Sequence, residues 1–260
     1  MTTPAPAPSP ADVAGSSVPA GAGSQTATAY RMVLGTLVTR TRVAGLTALG
    51  LIAVVLAVAL RASDAVDPGR TAYDLIVGGY SLALLAPVTA LVFASAAFGD
   101  LAEDGTLVYL WLKPVARWKL VFAAVAATLT VALPVSVLPA TLAAAVTGTG
   151  GGIVAGAAVT TALATIAYTS IFVGLGLVVR RALAWGLAYI LIWENAVARV
   201  ARGAARLSVQ AYQRSLLAHM AGRAAPKFGV AVGTSLIVTT IIVVIACALT
   251  TWRLSRANVP

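Results

Sequence analysis

The sequence predicts an all-α integral membrane protein. Six transmembrane helices are expected, with a short apolar helix in the loop between the second and third and short amphipathic outer helices before the sixth. Three observations predict this. Of 260 residues, 60% are hydrophobic and only 10% charged, at a mean hydropathy of +0.93, whereas soluble domains carry about 25% charged residues. So few charges cannot cover a water-facing surface. The apolar runs are long and continuous rather than alternating, which argues for helices and against a membrane barrel. Lys and Arg also gather at one set of loops, as membrane topology requires.

Residues 1–29 are rich in Pro, Ala, Ser and Gly without an apolar period. They read as a disordered cytoplasmic tail. The stretch lacks the basic start and apolar core of a secretory signal, so no cleavage is expected. Residues 30–256 then form the transmembrane domain.

Each apolar segment is near the length of about 20 residues that crosses about 30 Å of hydrocarbon. The first runs from Val43 to Leu60 and the second from Leu75 to Ala97. The third, Leu120 to Val146, contains Pro134 and Pro139, so a kink is expected. The fourth runs from Ile153 to Val179. The fifth, Ala182 to Val200, is the weakest, because it holds Glu194 and Arg199. The sixth runs from Val230 to Trp252.

Positive charge sets the orientation. With the amino terminus inside, the inner segments hold Arg31, Arg40 and Arg42, then Lys113, Arg117 and Lys119, then Arg180 and Arg181, and finally Arg253 and Arg256. The short outer loops hold only Arg61 and Arg70, so both termini are expected in the cytoplasm. The basic stretch 199–227 falls outside in this scheme. Arg199, Arg202 and Arg206 share one helical face, and Ser208 is placed to cap a second helix with Val209, Tyr212, Leu216 and Met220 on one stripe. These read as two amphipathic helices at the outer interface. A re-entrant fifth segment, with the basic loop inside and the carboxyl terminus outside, is the rival topology.

The net charge of +10 therefore belongs to cytoplasmic loops and anionic headgroups, not to nucleic acid. Cys247 is the only cysteine and His219 the only histidine, which leaves no disulfide within the chain and no expected metal site. No phosphate-binding loop occurs. Gly150-Gly151-Gly152 fits a loose dinucleotide pattern but joins two spanning segments, so it reads as a tight outer turn. Asp64, Asp67 and Asp74, beside Arg61 and Arg70, read as a solvated loop. Glu194 is more informative, since an ionisable group near membrane depth is costly and often functional. An ion pair with Arg199 that anchors the helix near its outer end is preferred to a proton relay. The chain of intramembrane acids expected of an ion-coupled carrier is missing. Glu194 and His219 alone are too little for a lipid-modifying enzyme.

The loop FGDLAEDGTLVYLWLKPVARWKL, residues 98–120, carries the sharpest signal. Its apolar centre, Thr106 to Leu112, is too short to span. Asp100, Glu103 and Asp104 precede it, and Lys113, Arg117 and Lys119 follow. Acids at a helix start and bases at its end favour a short capped helix, which Pro114 stops. Such a helix is apolar nearly all round and must be buried against lipid or against a partner. A protein partner also explains the charged fence, because rim charges fix register.

This region resembles the ABC-2 type exporter permeases, which read loosely as an acid, Gly-Thr-Leu, apolar residues, then Pro and Arg. The matching residues are Glu103 or Asp100, Gly105, Thr106, Leu107, Tyr109, Leu110, Pro114 and Arg117. The six-span layout over 30–256 resembles the family too, and Trp193-Glu194-Asn195 is similar to members from high-GC bacteria. The resemblance implies that this loop is a coupling helix docking on a separate cytoplasmic ABC ATPase, and that these eight residues form the docking site. It implies two permease subunits, the same or related, and two ATPases. ATP and Mg then belong to the partner, with no cofactor and no enzymatic activity in this chain. It also implies a bacterial cell membrane location, and a substrate path lined by the second and fifth segments. Few polar groups in the spans favour a hydrophobic or amphipathic substrate. A membrane scaffold or mechanical transmitter that exports nothing is the alternative.

Overall fold

The computed structural model describes residues 22–63, 68–103, 116–148, 150–179, 181–197, 202–224 and 229–256. Among them there is helix and turn but no strand. The first helix is a departure from expectation. α1 (Ala22–Leu37) begins inside the stretch read as disordered tail. Ala29, Val33 and Leu37 recur one turn apart, are buried, and pack toward the third span, and the Tyr30 hydroxyl lies 2.9 Å from Thr130 Oγ1. The small polar residues around this stripe conceal its period, and packing supplies the stability that propensity does not.

Thr39 has extended dihedrals and separates α1 from α2 (Arg40–Ala62). α3 covers 72–103 in two windings: π-helix over Ala72–Leu85, then α-helix over Ala86–Glu103. Gly78 and Gly79 fit the wider winding, because a Cβ on either would come within 3.1 Å and 2.9 Å of the carbonyls of Tyr73 and Asp74. α4 (Arg117–Val146) runs unbroken through Pro134 and Pro139. Side-chain hydroxyls back-bond to its carbonyls, Ser136 to Ala132 at 2.8 Å among them, as membrane helices with proline tolerate. A tight turn through Gly148 and Gly150, both at positive φ (69° and 94°), leads into α5 (Gly151–Val178). This is the tight turn expected at Gly150-Gly151-Gly152, with Gly151 and Gly152 already in the first turn of α5.

The fifth segment departs most. α6 (182–197) is α-helical for the 7 residues Ala182–Ala188 and π-wound for the 9 residues Tyr189–Val197. That is short of the about 20 residues of a full span. Five helices among the described residues are long and apolar enough to cross a membrane: Arg40–Ala62, Ala72–Gly99, Arg117–Val146, Gly151–Val178 and Val232–Arg256. A four-residue helical turn at Arg202–Ala205 is followed by α7 (Val209–Met220) and α8 (Val232–Arg256).

α5 is the hub, in contact with α3, α4, α6, α7 and α8. The apolar window of α3 is 78% buried, against 22% for α2 and 11% for α8. α3 is therefore an inner helix, while α2 and α8 turn broad apolar faces (Leu51, Val55, Leu56; Ile237, Ile241, Val244) outward, as lipid-facing helices do. α7 corrects a second expectation. Ser208 does cap it, accepting the Ala211 N–H at 3.2 Å, and Val209, Tyr212 and Leu216 are buried. Yet Gln210, Gln213, Ser215 and Leu217 are buried too, so the helix is packed on several faces rather than along one apolar stripe. It inserts beside α5 and runs antiparallel to it, with Met220 at Gly152, Leu217 at Gly156 and Gln210 at Tyr168. A Cβ on Gly152 would stand 2.6 Å from the Met220 carbonyl, so glycine is what lets the two backbones approach.

Candidate functional site

The π-wound end of α6 presents Glu194 and Asn195 to the interior. Glu194 is 1% exposed. The sequence placed it near the outer end of its helix, beside Arg199. Arg199 lies outside the described residues, and the structure gives the carboxylate other partners deeper in the bundle. The Tyr189 hydroxyl, one turn back on α6, donates to Oε1 at 3.0 Å. The Val209 backbone N–H, at the first turn of α7, donates to the same oxygen at 3.1 Å. The Ser208 hydroxyl donates to Oε2 while its oxygen accepts from Ala211, which uses both capacities of one hydroxyl.

A buried carboxylate is tolerated only when its lone pairs are satisfied. Here three donors and the positive end of α7 supply that. The fully buried Tyr168 of α5 lies beside the same carboxylate. Its ring stacks on Phe172 at 5.9 Å, and Phe172 meets Tyr189 edge-on at 6.1 Å, so aromatic rings wall the site. Asn195 continues the network, its Nδ2 donating to the carbonyls of Ile190 at 2.9 Å and Ala83 of α3 at 3.3 Å. Glu194 thus ties α6 to α7, and Asn195 ties α6 to α3.

α7 is held along its length. Gln213 Nε2 donates to Thr239 Oγ1 of α8 at 2.9 Å, and Arg214 donates to the Gly78 carbonyl in the π-wound part of α3 at 2.6 Å. The Arg223 guanidinium sits 5.3 Å from the Tyr73 ring centre. None of these pairings is legible in the sequence. The one available signal is Ser208 directly before an apolar run. The network acts as a clamp, joining α6 to α7 and to α3. The carboxylate is taken up by donors from α6 and α7, and no group of three or more metal-ligating side chains occurs among the described residues.

The predicted docking residues are placed only at their edges. Glu103 ends α3, and Arg117, half-buried, opens α4. Gly105, Thr106, Leu107, Tyr109, Leu110 and Pro114 lie outside the described residues. The structure therefore fixes which two helix ends carry the loop: the inner helix α3, and the start of α4 where Trp118 is exposed.

The family model for ABC-2 family transporter proteins matches residues 38–201, more than half of the chain. The chain belongs to the ABC-2 transporter family. The match covers α2 to the end of α6, including the 104–115 loop and Glu194, and stops short of Ser208 and Val209. None of the curated proteins matches the sequence. The permease is thus a multi-pass membrane component of an ABC transporter, a class of subunit that is generally not catalytic itself and that associates with an ABC ATPase. Its lack of a phosphate-binding loop accords with that division of labour.

Proposed function

We propose that this chain is the transmembrane subunit of an ATP-driven exporter, coupled to ATP hydrolysis on a separate ATPase through residues 104–115. The observation that carries this reading is the family match across that loop, joined to the unusual composition of the loop itself. Glu103, Gly105, Thr106, Leu107, Tyr109, Leu110, Pro114 and Arg117 form the proposed docking site, and ATP and Mg belong to the partner. Two permeases and two ATPases make the assembly, in a bacterial cell membrane with both permease termini cytoplasmic. α6 is the remaining span of the six-span family layout.

The route for coupling runs through named contacts. The loop hangs from α3, and α3 holds α6 through Asn195 and α7 through Arg214. A push on the loop reaches the π-wound halves of α3 and α6, where the helical hydrogen bonding is already off the α-register. Differential affinity of the ATPase for two arrangements of these helices is what links hydrolysis to transport. The substrate is hydrophobic or amphipathic, because acidic and basic side chains are almost absent from the spans. Burial of α7 within the bundle favours transport over a purely mechanical role, since an arm that remodels outer proteins needs an exposed surface.

The test is ATP hydrolysis by the complex in proteoliposomes. Stimulation by amphipathic compounds, and its loss on reconstituting the ATPase alone, is expected. Hydrolysis indifferent to every such compound, with ATP-independent movement of solute, overturns the reading.

A further inference from the structure

A groove of about 570 Å³ runs between α5 and α8. Its position follows from α7. Over one half of the bundle α7 packs against both helices. Its Gln210 backbone reaches Tyr168 of α5, and its Gln213 side chain reaches Thr239 of α8. The groove starts at Ile171 and Ile242, each three residues beyond those contacts. It is the part of the α5–α8 slot that α7 does not reach.

The walls are aliphatic, with Leu175 and Val178 on one side and Ile245 and Leu249 on the other. The Thr250 hydroxyl in the lining already donates to the Ala246 carbonyl at 2.7 Å. Val178 and Leu249 are both more than half exposed, so the groove opens on the outer surface of the bundle, where a membrane helix meets hydrocarbon. Trp252 and Arg253 close one end. Aromatic and basic side chains stand at headgroup level in spanning helices, so this end lies at a membrane surface. From Arg253 to Ile242 the helix rises about 16 Å. That is about half of a hydrocarbon core about 30 Å thick, the depth of one leaflet.

These dimensions choose the occupant. It is hydrocarbon throughout, one leaflet long, and ends at the headgroups. A helix from a second copy is about 10 Å across. It is too thick for a slot whose walls already meet at Gly174, where a Cβ would stand 2.5 Å from Thr250 Oγ1. A single flexible chain fits such a slot and gains dispersion contacts with both walls, contacts that are lost outright if the slot is left empty.

We propose that the groove holds one acyl chain of a membrane phospholipid, in the leaflet on the Arg253 side, with its headgroup beyond Trp252. The chain there does what α7 does in the other half, joining α8 to α5. The proposal needs only a permease in a bilayer, so its test reads separately from ATP coupling and from the identity of any substrate.

The experiment is lipid titration of the delipidated full-length permease, read by native mass spectrometry. The probes are dioleoylphosphatidylcholine and its short-chain counterpart, dioctanoylphosphatidylcholine. Wild type should retain one dioleoyl lipid, and the dioctanoyl lipid about tenfold less. Ala246→Phe puts a ring into the groove and should weaken dioleoyl retention by about tenfold. Val244→Phe adds the same bulk on the outward face of α8 and should change nothing. Leu249→Trp, at an exposed position on the mouth, should weaken retention too, and keeps the test open if Ala246→Phe unfolds the bundle. Equal retention by the Ala246 and Val244 variants reduces the lipid to an ordinary annular one and overturns the proposal. Equal retention of the two lipids by wild type overturns it as well, since the chain then contributes nothing. Loss of a permease dimer, rather than of lipid, in Ala246→Phe would make the groove a subunit interface and also overturn it.

Discussion

At the scale of single residues, Glu194 decides most. The sequence marked it as costly and therefore meaningful, and the structure buries it among hydrogen-bond donors. A short-range rule pairs it with Arg199, which lies outside the described residues; among the described residues the fold brings Ser208 and Val209 to it from a helix beyond the next turn. No local pattern encodes that meeting, because it depends on how deep α7 inserts. Replacing Glu194 with Ala leaves the Val209 N–H and two hydroxyls without their acceptor, and each unsatisfied buried group costs about 1–3 kcal/mol. The E194A permease should unfold at a clearly lower temperature in detergent, followed by tryptophan fluorescence. E194Q keeps an acceptor oxygen and should lose less. Ser208→Ala removes both the cap and a donor, and should cost about 1–2 kcal/mol. Equal unfolding temperatures for E194A and wild type would show that the clamp contributes nothing.

At the scale of elements, the long apolar runs were legible and the irregular ones were not. α2, α4, α5 and α8 stand within a few residues of their expected bounds, because about 20 continuous apolar residues have few alternatives in a membrane. α1 escaped because alanine, threonine and glycine give a weak periodic signal, although Ala29, Val33 and Leu37 do mark its buried face. α6 and α7 were blurred for another reason. Their polar residues look like an interface in sequence, yet Glu194, Asn195, Gln213 and Arg214 find hydrogen-bond partners inside the bundle. The consequence is a labelling pattern. In a background with Cys247 replaced by Ser, a cysteine at Leu207, which is 70% exposed, should react with an impermeant thiol reagent applied to whole cells. One at Ser208, 1% exposed, should stay protected. Labelling only after the membrane is opened would put the loop inside and support the re-entrant topology. Gly156→Leu should separate α7 from α5, since even a Cβ there would sit 2.8 Å from Leu217 Cδ1. Overpacking of this kind costs about 1–3 kcal/mol, so the unfolding temperature should fall; an unchanged value would mean that α7 packs elsewhere.

For the whole molecule, class and family followed from composition and from one loop. A chain with so few charges has no soluble solution, and a run of apolar residues fenced by acids and bases has few uses outside a membrane except to meet a partner. What sequence could not supply is the wiring behind that loop: α3 as an inner helix, Asn195 and Arg214 as its links to α6 and α7, and α5 as the common support. These contacts join the helix that carries the loop to α6 and α7. The central claim is that the push is delivered by an ATPase at residues 104–115. Its most direct measurement is affinity purification of the full-length permease from its native membranes, with the bound ABC ATPase quantified by mass spectrometry. An L107D/Y109D variant places two charges in the proposed apolar interface. It should lose the ATPase by tenfold or more while keeping the unfolding temperature of the wild type. Undiminished recovery of the ATPase with that variant would contradict the account.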